Sequence, residues 1–424
     1  MNLLKTSFLS AIAVGTRLAT ALFLNKILAV YVGPSGYGVI GQLLNFVNLV
    51  NMLASGASTT GITKYTAEYQ GDDERQKAIW RTAATISVAA TGICAIILLA
   101  FHSQLAIWLL KRVELGVVFI WFAVALSFFV LNALLLAVLN GKKEIADYAK
   151  INIIGSLTGA SIAAVLARSW GLEGALVALM VNQSITFFVA IYYCRKKPWF
   201  HLSSFWGKFD SVTAIKLGKF SLMTLTSAVA APLAEMIIRN HIAVKFGWDA
   251  TGHWQAVVKI SDMYLMLVTT TLTLYYLPRF SEIKDATELQ RELWRGYKTI
   301  IPFVVACSGA IYLLRDLLIE LLFTEQFVPM RDLFGWQLMA DIVKIAAWIL
   351  AFLMVSRGMT KLYIISELFF YSLLVVLVYA CSRWLGLEGV VFAYFVNYSI
   401  YLCFAVYVLK VVLSHLRIAH ERVA

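Results

Sequence analysis

Long apolar runs, broken by short polar connections, organise this chain from end to end. A helix rises 1.5 Å per residue, so about 20 mostly apolar residues cross the roughly 30 Å hydrocarbon core of a bilayer. Runs of that kind lie near 6–31, 37–63, 79–102, 113–139, 147–168, 172–194, 214–244, 252–278, 296–314, 333–356, 361–382 and 387–413. They predict an all-α integral membrane fold of about twelve transmembrane helices. The amphipathic stretch Arg315–Phe323 predicts a short surface elbow between the ninth and tenth spans. The first run holds Arg17 and Lys26, exceeds the apolar region of a cleavable signal, and has no small-residue cleavage site after it. It is expected to stay as a span.

The pattern repeats. Gly171-Leu172-Glu173-Gly174 returns as Gly386-Leu387-Glu388-Gly389, 215 residues later, followed by Val181-Asn182 with Val396-Asn397 and Ser184-Ile185 with Ser399-Ile400. Eleven of the 23 positions in this stretch are identical. Ala29-Val30, Gly33 and Gly38 match Ala243-Val244, Gly247 and Gly252 at an offset of 214. Two separated segments at nearly one offset argue for duplication of a six-helix unit. An even number of spans gives both copies the same sense in the membrane, the parallel-repeat arrangement. The expected organisation is a six-helix lobe over 1–200, a linker over 201–212 and a second six-helix lobe over 213–424.

Composition agrees with a bilayer setting. The chain is 61% hydrophobic and 14% charged, with a mean hydropathy of +0.78, whereas soluble domains carry about 25% charged residues. The net charge of +12 does not indicate nucleic acid, because the basic residues sit in short connections between apolar runs. Of the 36 Lys and Arg, 24 lie at or beside the connections on the N-terminal side, 7 on the opposite side and 5 within spans. The positive-inside rule therefore places both termini in the cytoplasm. The five cysteines form no CxxC pair, and no disulfide framework or zinc site is visible.

Soluble-enzyme chemistry is not visible. There is no GxxxxGK[ST] phosphate loop, no HExxH and no GxSxG elbow, so neither an ATP motor nor a hydrolase is supported, and no cofactor is implied. The informative residues are charges inside spans: Arg17, Lys26, Arg239, Lys259 and Lys344, with Glu235, Asp262, Asp341 and Glu367. A charge at the bilayer centre costs about 2.5–3.5 kcal/mol even on insertion scales, so these side chains should face protein or a wet cavity. Glu235 with Arg239, Lys259 with Asp262 and Asp341 with Lys344 have the spacing of intrahelical ion pairs; each pair is open to a purely neutralising role or to a role in a cavity. Lys26 is open to simple snorkelling. Desolvation favours the neutral form of a carboxyl group, which makes Asp262, Asp341, Glu367 and Glu235 candidates for ion coupling. Arginine keeps its charge when partly buried and meets phosphate oxygens two at a time, which suits Arg17 and Arg239 to an anionic substrate. Lys259, Lys344 and Lys26 complete the candidate set of cations. Pro232 and Pro302 lie within spans and are suggestive of kinks.

Several local motifs, taken together, resemble a known family. They are Gly33-Pro34-Ser35-Gly36; Thr63-Lys64-Tyr65; Trp254-Gln255 with Ile260-Ser261-Asp262 and Tyr264-Leu265; Tyr276-Leu277-Pro278; Leu314-Arg315-Asp316; and Met330-Arg331-Asp332-Leu333-Phe334 leading into Trp336-Gln337-Leu338 and Asp341. Over essentially the whole chain they resemble the Wzx-type flippases of lipid-linked oligosaccharides, and the enterobacterial O-antigen and common-antigen translocases in particular. These belong to the superfamily that also holds multidrug extruders and lipid II flippases. The resemblance implies two six-helix lobes in a V around a central cavity, alternating access, and an undecaprenyl-diphosphate oligosaccharide as substrate. It further implies the bacterial inner membrane, and a glycan polymerase and chain-length regulator as partners. The rival readings are a multidrug or cation extruder of the same superfamily and, from another class, a membrane glycan polymerase or transferase.

Overall fold

A computed structural model describes residues 3–56, 58–283 and 285–421. It is all-helical, with no strand among the described residues. Helices are what a bilayer permits, since each backbone N–H must find its acceptor within its own segment. The first half holds α1 (Leu3–Ala54), α2 (Thr59–Glu68), α3 (Asp73–Ala100), α4 (His102–Leu110), α5 (Gly116–Gly141) and α6 (Ile145–Cys194). The second holds α7 (Ser211–Thr271), α8 (Leu277–Glu282), α9 (Ala286–Leu313), α10 (Arg315–Leu322), α11 (Phe334–Ser356), α12 (Thr360–Leu385) and α13 (Glu388–Glu421). By packing, the chain divides into two compact units, Met1–Pro232 and Leu233–Ala424.

Eight of the described helices are long and apolar enough to cross a membrane. α1 and α6, at 52 and 50 residues, are each about twice the length that a bilayer requires, and each is interrupted at one glycine. Gly33 breaks α1 (φ 67°, ψ −176°) and Gly247 breaks α7 in the same way (φ 89°, ψ 169°). Gly171 breaks α6 (φ 56°, ψ −131°), and Gly386 separates α12 from α13 (φ 61°, ψ −138°). The two pairs stand 214 and 215 residues apart, so the sequence repeat is also a repeat of backbone conformation. A Cβ strongly disfavours such dihedrals. The glycines three residues beyond Gly171 and Gly386 are equally matched. A Cβ at Gly174 would stand 2.0 Å from the carbonyl oxygen of Leu166, and one at Gly389 2.2 Å from that of Cys381, again 215 residues away.

Some expected spans end differently. The second, expected over 37–63, stops as a helix at Ala54; the chain turns through Gly56 (φ 62°) and restarts as α2. Hydroxyl groups cap the break: Ser58 and Ser87 donate to the Ser55 carbonyl and Thr91 to that of Ala54. The eighth passes into a π-helical turn over Leu272–Tyr276 before α8. The ninth begins ten residues earlier than expected, at Ala286, where the Asp285 side chain accepts from the Glu288 N–H as an N-cap. The elbow is present as α10, and α4 is a short helix in the corresponding place of the first half.

Residues 195–217 do not hang loose from the first unit. Lys197 bridges Glu144 at 2.5 Å and Asp147 at 2.6 Å. Its hydrogen bonds to Asp147 and then Glu144 push the Lys197 ammonium above its ordinary range. Trp80 on α3 is 1% exposed; Phe205 stacks on it at 5.6 Å and Trp199 meets it edge-on at 5.6 Å. Arg81 donates to the Ser203 carbonyl, and the Asp210 N–H donates to Thr82 Oγ1. Leu217 joins the same core as Trp80.

The glycine repeat is testable. Gly174→Ala and Gly389→Ala should each lower the apparent unfolding temperature by several degrees, a cost of about 1–3 kcal/mol. Gly92→Ala should leave it within a degree, because a Cβ there meets nothing within 4 Å. Thermal unfolding of the three variants in one detergent makes the comparison.

Candidate functional site

Seven of the nine candidate charges belong to one unit, on α7, α11 and α12. α7 supplies Glu235, Arg239, Lys259 and Asp262; α11 supplies Asp341 and Lys344; α12 supplies Glu367. They share one electrostatic network. Asp262 lies within reach of Lys344, Glu235, Lys259 and Arg239, and Tyr398 of α13 lies within reach of Glu367, Asp341, Glu235 and Asp262.

Arg239 is the most enclosed member, at 1% exposure. Its Nε and Nη2 both donate to Gln255 Oε1, at 3.1 and 2.5 Å. Nη2 lies 3.6 Å from Glu235 Oε2, and the guanidinium sits 5.1 Å from the Trp254 ring centroid. Nη1 is buried and has no hydrogen-bond partner, as is the Trp254 indole N–H beside it. An unmet buried donor costs about 1–3 kcal/mol, more when charged. The site thus holds donor capacity that the fold leaves unused.

Of the three expected ion pairs, only Glu235–Arg239 forms among the described residues. Asp341, 1% exposed, is hydrogen-bonded instead: Tyr264 Oη donates to it at 2.9 Å and Gln337 Nε2 at 3.1 Å. Lys344 lies over aromatic rings, 4.9 Å from Trp348 and 5.6 Å from Tyr398. Its long stem reaches those rings while Asp341 turns towards α7, so the i,i+3 spacing does not become contact. Lys259 is half-buried, Asp262 is exposed, and no salt bridge joins them. An exposed carboxylate on a spanning helix belongs against water, since lipid cannot solvate it.

Glu367 lines a pocket of about 20 Å³ together with Trp348, Tyr371, Asn397, Tyr398 and Tyr401. That is room for about one water molecule. Asn397 is buried beside it, with its Oδ1 unpartnered.

Arg17 and Lys26 belong to the other unit. Arg17 is exposed on the first arm of α1 and its guanidinium makes no ion pair among the described residues; Lys26 is half-buried. Asn25, which the repeat aligns with Arg239, is buried and accepts from Tyr37 Oη at 2.9 Å. The first unit therefore has a neutral polar residue where the second has a cation.

Sequence reasoning overlooked four residues. Gln255 holds Arg239, Tyr264 holds Asp341, and Asn397 and Tyr398 face Glu367. Each lay in a quoted motif or next to a repeated one, but a neutral side chain in a span attracts no notice until a charge is seen against it. Tyr264→Phe removes a hydrogen-bond donor to the buried Asp341. It should destabilise the protein by about 1–3 kcal/mol, read as a lower unfolding temperature, whereas Tyr407→Phe, at an exposed position, should not.

Comparison with known proteins agrees with this architecture. The family model described as "Polysaccharide biosynthesis protein" matches residues 3–284. A lipid III flippase of Escherichia coli (strain K12) is 30% identical over 415 residues, covering 96% of this chain and 99% of that protein. A putative O-antigen transporter of Shigella flexneri is 23% identical over 306 residues, 70% of each chain. Among solved structures, an inward-facing multidrug resistance MATE family transporter aligns with a TM-score of 0.77 at 14% identity, covering 94% of this chain and 98% of that one. A MOP superfamily transporter from Pyrococcus furiosus aligns with a TM-score of 0.71 at 14% identity, covering 96% of each. At that identity the structural likeness speaks for the fold alone. The chain belongs to the polysaccharide biosynthesis protein family.

Proposed function

We propose that this protein moves an undecaprenyl-diphosphate-linked oligosaccharide from the cytoplasmic to the periplasmic leaflet of a bacterial inner membrane by alternating access. The carrying observation is the near-complete alignment with a protein named a lipid III flippase, at 30% identity over 99% of its length. It is a transporter rather than an enzyme. The reading includes twelve spans, lobes over 1–200 and 213–424 joined by 201–212, and both termini in the cytoplasm. A glycan polymerase and a chain-length regulator are its expected partners. The multidrug-extruder reading rests on fold alone and is second.

The physical problem is the diphosphate. It carries about two negative charges, and taking them unaided through a low-dielectric layer is prohibitive. The protein must offer cations along a wet path. In this reading Arg17, Arg239, Lys259, Lys344 and Lys26 are those cations. Arg239 supports it best, because its Nη1 and the neighbouring Trp254 N–H are donors without acceptors. Gln255 and Glu235 hold the guanidinium in place and moderate its attraction, so that release remains possible. Asp262, Asp341, Glu367 and Glu235 are the proposed ion-coupling groups.

Expression in a strain lacking its own common-antigen or O-antigen flippase tests the reading. The intact chain should restore surface glycan. Arg17→Ala and Arg239→Ala should express normally yet lose at least nine-tenths of that glycan, with Lys at either site restoring part. If Arg239→Ala misfolds while the Glu235→Ala, Arg239→Ala double variant recovers both folding and transport, Arg239 is structural and has no place among the phosphate contacts. Asp262→Asn, Asp341→Asn and Glu367→Gln should abolish pH-dependent transport in at least one case. Full pH-dependent activity in all three would remove proton coupling through these groups.

A further inference from the structure

The start of α9 repeats the start of α3. Gln76-Lys77, Ile79 and Trp80-Arg81 return as Gln290-Arg291, Leu293 and Trp294-Arg295, at the offset of 214 that relates the two halves. The two copies have opposite surroundings. In the first unit the tryptophan is covered: Trp199 and Phe205 lie on Trp80, the Lys142 ammonium stands 5.4 Å from its ring, and Arg81 is tied to Ser203. In the second, Trp294 is 66% exposed.

The exposed copy is also strongly charged. Arg291, Trp294, Arg295 and Lys298 follow the i, i+3, i+4, i+7 spacing of a single helix face, and all four are exposed. None of the three cations makes a salt bridge among the described residues. The nearby carboxylates are engaged elsewhere: Glu288 with Arg279 at 2.8 Å, and Glu292, which is buried and accepts from Tyr275 Oη at 3.0 Å. The opposite face of the helix is fixed inward by Leu289, Leu293 and Ile300. A Cβ on Gly296 would stand 2.6 Å from Tyr276 Oη, so this packing holds the cationic face outward. Counting about 20 residues back from Leu313 brings the hydrocarbon boundary to Trp294, with Arg291 one turn outside it.

We propose that this face is a docking surface for anionic phospholipid headgroups. Tryptophan sits at the interface by its amphipathic ring, and unpaired cations around it complement negative headgroups. In the first half of the chain the equivalent corner is closed by the chain itself, through the aromatic residues after α6. The end of α13 and the residues beyond it carry Lys410, Arg417 and Arg422 and no Phe, Trp or Tyr beyond Tyr407, so they are ill-suited to cover a cationic face. A phospholipid supplies the missing negative charge. The leaflet concerned rests on the topology proposed above; the recognition does not.

The test uses the purified full-length chain, titrated in detergent with phosphatidylglycerol or phosphatidylcholine, with bound lipid read by native mass spectrometry. At about 1 kcal/mol per cation, each single neutralisation should weaken phosphatidylglycerol binding roughly fivefold, and Arg291→Gln, Arg295→Gln, Lys298→Gln together roughly a hundredfold. The single variants keep the test open should the triple variant fold poorly. Neutralising Arg195, Lys196 and Lys208 instead, with the same change in net charge, should have little effect. Equal loss in both triple variants, equal binding of phosphatidylcholine, or phosphatidylglycerol binding that arises only when residues 415–424 are removed would each overturn the proposal. The last result would make the chain's own terminus the occupant.

Discussion

A bilayer core offers no hydrogen bonds, and this single constraint shapes the chain. Every peptide group inside it must be met within its own helix, and every charge must be turned to a partner or to water. The helices can break only where something else meets the freed groups. At the end of α1, hydroxyls of Ser58, Ser87 and Thr91 take over the Ser55 and Ala54 carbonyls. At the four long breaks the chain instead spends a glycine whose backbone reaches conformations barred to other residues. Gly33, Gly171, Gly247 and Gly386 thus set where each helical arm begins.

Much of this was legible in the sequence, because the signals were periodic and long. Apolar runs gave the helical class, and the Gly-Leu-Glu-Gly repeat gave the duplication. The repeat held down to dihedral angles and, at Gly174 and Gly389, to the carbonyl that each glycine approaches. What escaped was local. Ser55–Ser58 lies within an apolar stretch, so hydropathy carried the second span through a turn that depends on hydroxyl caps contributed by α3. The start of α9 was set ten residues late because its first turns are amphipathic and lie outside any apolar window. In the site, spacing proposed three ion pairs and contact made one. Lys344 has rings within its reach and Asp341 has Tyr264, which no i,i+3 rule can register.

The two halves share a backbone plan but not a charge plan. Asn25 and Arg239 occupy matching places on matching helices, one neutral and one a cation with an idle Nη1. Trp80 and Trp294 do likewise, one sealed beneath Phe205 and Trp199 and the other bare among three cations. Duplication supplied a frame, and substitution placed the polar seam of α7, α11 and α12 in the second unit. A seam of cations, carboxylates and tyrosine hydroxyls inside a membrane fold is costly to maintain, and the proposed function is what gives that cost a reason.

On the proposed function, the chain moves a diphosphate-linked oligosaccharide between leaflets. The most direct measurement places the purified protein in liposomes containing a lipid diphosphate with a fluorescent oligosaccharide. A membrane-impermeant quencher then follows the fraction of headgroups on the outer face. The account predicts that protein-containing vesicles lose their protected half over minutes and that protein-free vesicles keep it. Continued protection of that half in the presence of well-folded protein, together with uptake of a cationic dye by the same vesicles, would contradict it.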